Sequence, residues 1–407
     1  MKIEIRKLVA EEMGLLGELG AYVYGGSFGD GPDNIIATAN EPDWTLCAFV
    51  DGKLASSFTS IPFTMRANGR AIPMAGVSTV GTQTEFRRRG LSRRIHTQAF
   101  AEMRNQGQTV ASLWASQAAI YQRYGYAMVT AQRNYEIDSI DINFFDGNFG
   151  SGEVVRKSVE DGYDEAKALY IEFISDRMCY LHRAKPLWLQ NVFEERPDDG
   201  PVHLAICYDG NANANANGYI AYTLRHSKVA HGSRPQGIEI RDFVWNSPDA
   251  YRSLWEWLRR HDLVGRIRYG SAPMDDPAPL LFTEPRLLHT TDREGLWMRV
   301  VDVPAALSSR AYIYEDEITI GLPEDSLTPW NKGNWQLHTT SEKAEAHPTK
   351  KSPDISLSIN SLALLYTGYL SASRLASLGL LSGTPRALEK ADRLFTTHHA
   401  PHCPDHF

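Results

Sequence analysis

The stretch VSTVGTQTEFRRRGLS, running from Val77 to Ser92, decides how this chain folds. It reads as a β-rich strand, a short connection and then a basic, glycine-containing helix start. A helix N-terminus offers unpaired backbone N–H groups and the positive end of the helix dipole, so it holds phosphate readily. Gly90 lets a ligand approach the backbone closely, and Arg87, Arg88 and Arg89 add positive charge. Placed after a strand, Arg87-x-x-Gly90-x-Ser92 has the makings of a pyrophosphate cradle. Read alone, the same run is a solvated basic turn or an RNA-contacting patch.

Working outward from this stretch, the first 137 residues give a regular succession of elements. Residues 2–8 alternate apolar and charged, a strand pattern, and residues 10–24 carry apolar side chains at helical spacing. Residues 44–50 and 54–64 are apolar and β-rich on either side of Asp51-Gly52, a hairpin signal. A third strand covers 74–82, and residues 87–104 form a helix with Leu91, Ile95 and Ala99 on one face. A strand at 109–115, a short helix at 118–124 and one last strand at 127–137 complete the unit.

The order then recurs over about 140 residues, as expected of a diverged repeat. The strands are expected at 153–158, 202–208, 219–224, 238–245 and 266–269, with helices at 162–173 and 248–260. Where the first unit has Arg87-Arg88-Arg89-Gly90, the second has Asn246-Ser247-Pro248-Asp249, a sound helix start with an acid where phosphate would need a base. The second unit is therefore expected to be structural. A third segment begins near Leu296. It offers a helix at 304–311, strands at 317–321, 333–340 and 355–359, and helices at 362–369, 372–378 and 386–395. Residues 341–353, with three lysines and two prolines, read as an exposed loop.

Composition sets the outer bounds. A length of 407 residues calls for two or three domains, and 43% hydrophobic with 22% charged residues is ordinary globular usage. A net charge of -7 argues against nucleic acid as the main partner, since phosphate neutralisation needs a basic face. Cys47, Cys179, Cys207 and Cys403 show no paired spacing, which fits free thiols in a reducing compartment. With no secretory h-region and no apolar run of membrane length, the reading is a soluble cytoplasmic protein without membrane partners.

The strand followed by R-x-x-G-x-(G/A) and the order of elements resemble the GCN5-related N-acetyltransferases (GNATs). The resemblance is closer to the Eis (enhanced intracellular survival) acetyltransferases. It rests on Arg87-Arg-Arg-Gly-Leu91, on Ser116-Gln-Ala-Ala-Ile-Tyr-Gln-Arg-Tyr-Gly-Tyr126, on Leu296-Trp-Met-Arg299 and on a terminal phenylalanine, Phe407, four landmarks in family order across the whole chain. It implies a mixed α/β (α+β) fold: a GNAT domain binding acetyl-CoA at 1–148, a second, degenerate GNAT-like domain at 149–295, and a sterol-carrier-protein-like (SCP2-like) domain at 296–407. It further implies a homohexamer and an N-acetyltransferase acting on aminoglycosides or polyamines, cationic small-molecule amines.

Carried over residue by residue, the resemblance gives Val80, Gly81 and Thr82 to the pantetheine arm and Arg88, Arg89, Gly90, Leu91, Ser92 and Arg93 to the pyrophosphate. Ser116 and Gln117 would flank the cofactor. Gln117 stands in place of the family's usual glutamate, and Ala118-Ala119 replace two glycines. Tyr121 matches the general acid: a phenol with pKa near 10 can protonate a thiolate leaving group of pKa about 8.5. Without the resemblance, any one of Tyr121, Tyr124 and Tyr126 reads as packing. Phe407 matches the general base through its α-carboxylate. Such a base needs burial, an easily deprotonated amine or a water relay, because a free terminal carboxylate has pKa about 3.5.

Phe28 and Asp30, in a Gly/Asp loop, are the acceptor-site candidates, with His406 beside the base where an acidic residue is usual. The tail also carries His398, His399, His402, Cys403 and His406, zinc-type donors whose spacing fits no tetrahedral motif, and no metal is expected. The alternative from another functional class is a lipid or sterol carrier built on the third domain, with inactive GNAT units. The intact basic turn in the first unit favours the enzyme.

Overall fold

Among the described residues, two seven-stranded sheets and one of five strands carry the fold. The computed structural model describes residues 2–26, 40–195, 199–210, 214–226, 233–340 and 342–407. The chain divides into two units: residues 1–129 with 296–397 and Phe407, and residues 130–295 with 398–406.

In the first unit the elements follow the expected order: β1 Ile3–Lys7, α1 Met13–Tyr24, β2 Thr45–Val50, β3 Lys53–Ala67, β4 Arg70–Thr82, α2 Leu91–Asn105, β5 Val110–Leu113, α3 Ala118–Gln122 and β6 Ala127–Met128. Asp51 and Gly52 both take positive φ, and Val50 pairs with Lys53, the two-residue hairpin that Asp-Gly specifies. Leu91, Ile95 and Ala99 on α2 are buried with Leu46, Ala48 and Phe58 of the sheet, so the helical stripe covers the sheet face as its spacing requires.

The end of this sheet differs from the expected single strand at 127–137. Only Ala127–Met128 joins the first sheet, and Ala131–Ile137 is a strand of the second. The place between β5 and β6 is taken by Trp297–Val300, antiparallel to both. That segment is buried at every position, so it shows neither the period of two nor the turn signals that mark a strand in sequence.

The second unit repeats the plan. Its sheet runs Thr291–Glu294, Ala131–Ile137, Val264–Ala272, Gln236–Trp245, Ala216–His226, Val202–Tyr208, Glu153–Lys157, with Val264–Ala272 parallel to Gln236–Trp245 as β5 is to β4. Ser247 caps the helix Pro248–Arg259 by accepting from the Ala250 amide, as the sequence implied. Trp255, Tyr251 and Phe243 fill its core.

The remaining segment of the first unit packs helices against a sheet ordered Ala344–Thr349, Gly333–Thr339, Asp316–Leu322, Ile355–Leu357, Leu381–Gly383. The loop expected at 341–353 is corrected: Ala344–Thr349 pairs antiparallel with Gly333–Thr339. Ala344 and Ala346 are buried while His347 is exposed, a period of two obscured by the flanking lysines and prolines. Arg310 is fully buried and donates to the carbonyls of Tyr366 (2.8 Å) and Phe395 (2.8 Å), satisfying the C-terminal ends of two helices.

Candidate active site

β4 and β5 run parallel but are paired only over Met74–Gly76 against Val110–Ser112, while β4 continues to Thr82. Beyond Gly76 the strands part, which leaves β4 free to offer backbone groups on that side. The register between β3 and β4 shifts at this point, with Thr79 at φ 47°. Ser57 and Ser56 donate from β3 to the carbonyls of Thr79 (2.6 Å) and Gly81 (2.7 Å). The intervening Val80 carbonyl accepts from the Tyr24 hydroxyl at 3.0 Å. The bulge thus re-aims the end of β4 beside the gap.

The connection to α2 makes the gap's charged end. Arg88 and Gly90 both adopt left-handed backbone (φ 61° and 73°), so the chain coils tightly before the helix starts at Leu91 rather than at Arg87. Gly90 is the N-cap, no side chain caps the helix, and the first intrahelical bond runs from the Arg94 amide to the Gly90 carbonyl. The N–H groups of residues 91–93 precede that bond, an anion site by construction. Among the described residues Arg87, Arg88, Arg93 and Arg123 form no ion pair with a carboxylate; Arg89 instead lies over the Phe86 ring. In the second unit the matching turn holds Asp249, whose carboxylate accepts from the Ser151 amide.

These elements enclose a cleft of about 630 Å³. Its wall includes Val80, Gly81, Thr82, Arg88, Gly90, Leu91, Ser92, Arg93, Ser116, Gln117 and Tyr121, so all but one of the sequence-derived cofactor contacts, together with the proposed acid, meet in one place. Arg89 is not in the wall. Tyr24, Phe86 and Arg123 are, and sequence reasoning passed over them: nothing in the periodicity of α1 ties its last residue to β4. The unpaired amides, the arginines and the bulged strand suit a diphosphate carrying an amide-bearing arm, so the residues present fit acetyl-CoA.

Tyr121 is 5% exposed and packs edge-on against Tyr126 at 6.0 Å. Burial raises its pKa, and hydrogen bonding to Ser116 works the other way. Its short helix is braced from the far end of the chain. Arg299 donates to the Tyr124 carbonyl and pairs with Asp325 at 2.7 Å, both side chains buried, and the guanidinium holds the Asp325 carboxyl low against the cost of burial. Asn360 donates to the carbonyls of Gln122 (3.0 Å) and Tyr126 (2.8 Å). Arg299 belonged to a sequence landmark, yet its bracing role needs the strand placement that the sequence concealed.

Phe407 lies in the first unit, its ring 5.0 Å from that of Phe63. A Cβ on Gly76 would stand 2.4 Å from the Phe63 ring and 3.0 Å from that of Phe407, so the missing side chain seats both rings where β4 and β5 part. Phe407 is not among the residues that line the cleft. His406 is an exposed residue of the second unit, and Phe28 and Asp30 lie outside the described residues. Of the tail histidines, His399 faces Asp176 and Asp275, while His402 is buried against Tyr180; no trio of metal-type donors converges among the described residues.

Two stretches, 4–129 and 179–300, match acetyltransferase (GNAT) domain families, and 303–404 matches the sterol carrier protein domain. The chain is 29% identical over 374 residues to an uncharacterized N-acetyltransferase of Streptomyces avermitilis, covering 90% of this chain and 89% of the relative. It is 28% identical over 334 residues to N-acetyltransferase Eis of Mycobacterium tuberculosis, 80% of this chain and 79% of that protein. The solved structure of Eis1 from Mycobacterium abscessus superposes with a TM-score of 0.82 at 27% identity, over 99% of this chain and 100% of that one. The chain is an Eis-like member of the GNAT acetyltransferases, with two GNAT domains followed by a sterol-carrier-like domain. GNAT enzymes draw their acetyl group from acetyl-CoA. No helix among the described residues is long and apolar enough to cross a membrane.

Proposed function

We propose that this acetyltransferase modifies an amine of a small cationic molecule, aminoglycoside- or polyamine-like, by direct attack on the thioester. Acetyl-CoA supplies an activated acyl group and a thiolate leaving group. The uncapped start of α2 with Arg88 and Arg93 binds the diphosphate, and the end of β4 aligns the arm. Tyr121 donates its phenolic proton to the departing sulfur. The Phe407 α-carboxylate accepts the proton that the attacking amine sheds. A phenol kept protonated by burial is suited to giving a proton rather than taking one.

The observation that carries the reading is the meeting of the anion cradle, the parted strand and Tyr121 in one cleft. Thiol release measured with acetyl-CoA and a panel of spermidine, kanamycin-type aminoglycosides and neutral amines tests it. Turnover confined to polycationic acceptors is expected, and no release with any amine would overturn it. The same reading takes the working protein to be a cytoplasmic homohexamer, and sedimentation of the purified chain checks the assembly.

A further inference from the structure

Within the second unit, the helix Val159–Phe173 ends one turn before Arg177, whose Nε donates to the Phe173 carbonyl at 2.9 Å and so satisfies an acceptor of the helix end. The guanidinium lies over the Phe173 ring at 3.7 Å from its centroid, with the rings of Tyr180 and Trp245 each 5.8 Å away. Only 6% of the residue is exposed. Among the described residues Arg177 forms no ion pair, and neither terminal nitrogen donates to a protein acceptor. Asp275 is within electrostatic reach, but its carboxylate faces His399 at 3.4 Å and accepts from the Ala400 amide at 3.0 Å.

Other buried arginines of this unit are matched. Arg183 pairs with Asp405 at 2.7 Å and Asp242 at 2.5 Å, and Arg252 pairs with Asp146 at 2.9 Å. A buried cation that lacks such a partner is costly, and the cost falls when an anion is supplied from outside. Arg177 has room for one, because it lines a cleft of about 510 Å³ built wholly from the second unit. Phe173, Trp245, Tyr251, Pro277 and Leu281 give that cleft apolar walls, while Glu172 and Asp176 are exposed acids at its rim. The helix that starts at Pro248 also borders it, yet offers a phosphate almost nothing: proline has no N–H, Ser247 occupies the Ala250 amide, and Asp249 is an acid.

We propose that this cleft is a binding site for a small organic carboxylate with an aromatic or branched apolar body. The planar fork of Arg177 takes the carboxylate through its two terminal nitrogens, and the aromatic walls take the body. The acids at the rim select against ligands with several negative charges, so a nucleotide or a free phosphate is disfavoured and a monoanion is accepted. The second unit, unsuited to the cofactor of the first, thus keeps a ligand site of its own.

The test titrates 3-phenylpropionate, its neutral amide, acetate and inorganic phosphate into the full chain by calorimetry, with CoA at saturation so that the cleft of the first unit is occupied. Saturable binding of one 3-phenylpropionate per chain is expected, with the other three weaker by about tenfold or more. Arg177→Met keeps the packing against Phe173 while removing the charge, and should weaken 3-phenylpropionate by about tenfold or more. Glu172→Gln removes an exposed acid from the rim and should tighten it by about two- to fivefold; it carries the test if Arg177→Met does not fold. No saturable binding to the wild type, or unchanged affinity in Arg177→Met, overturns the proposal, as does unchanged affinity in Glu172→Gln where that variant stands alone. Binding of the amide as tight as that of the acid overturns the role of Arg177, and acetate or phosphate as tight as 3-phenylpropionate overturns the assignment to an apolar carboxylate.

Discussion

Tyr121 holds a proton that its surroundings make hard to lose, because burial penalises the phenolate more than the Ser116 contact relieves it. Tyr121→Phe removes the proton and little else, so kcat should fall about 10²-fold while acetyl-CoA affinity stays within about twofold. Initial rates and titration calorimetry separate the two, and an equal loss in both would move Tyr121 from acid to binding surface. Gly76 makes a parallel case for a residue with no chemistry. A methyl group there presses first on Phe63 and then on Phe407. Gly76→Ala is expected to lower kcat more than acetyl-CoA affinity, at an overpacking cost of about 1–3 kcal/mol read from thermal unfolding.

The start of α2 was legible from sequence because its signal is local: a strand, arginines and a glycine within sixteen residues, all acting through the backbone they adjoin. Replacing Arg88 and Arg93 together by alanine should raise the acetyl-CoA KM about tenfold with kcat nearly unchanged, and the defect should shrink in high salt, where screening weakens the wild type as well. A defect independent of salt would mean that these arginines act by shape. The brace on Tyr121 was not legible, since Arg299 and Asn360 reach the end of α3 and the turn that follows it across more than 170 residues of chain. Trp297–Val300 has no alternation to reveal it, and Asp405 reads as one acid in a polar tail until the fold sets Arg183 against it. Asn360→Ala should therefore lower kcat a few-fold through loss of the Gln122 and Tyr126 contacts, checked by steady-state rates.

Across the whole molecule, the buried titratable groups set opposing trends with pH. Burial lowers the pKa of His96 and of His402 to about 4, and raises that of Asp276 and of Asp405 to about 6. A histidine whose folded pKa lies below its unfolded value contributes stability that is present above about 6.5 and lost as pH falls toward 4. An aspartate whose folded pKa is raised does the reverse: its cost at neutral pH is relieved as pH falls through about 6. The two trends oppose each other between pH 7 and pH 5, so removing one histidine exposes the other side of the balance. His402→Gln should keep about 2 kcal/mol of stability that the wild type loses between those pH values. Thermal unfolding midpoints of both proteins at pH 7 and pH 5 check this. The variant's midpoint should rise relative to the wild type at the lower pH, whatever the offset between them at pH 7. Parallel midpoints would mean that His402 is already protonated in the folded chain, paired with Asp275 rather than buried neutral.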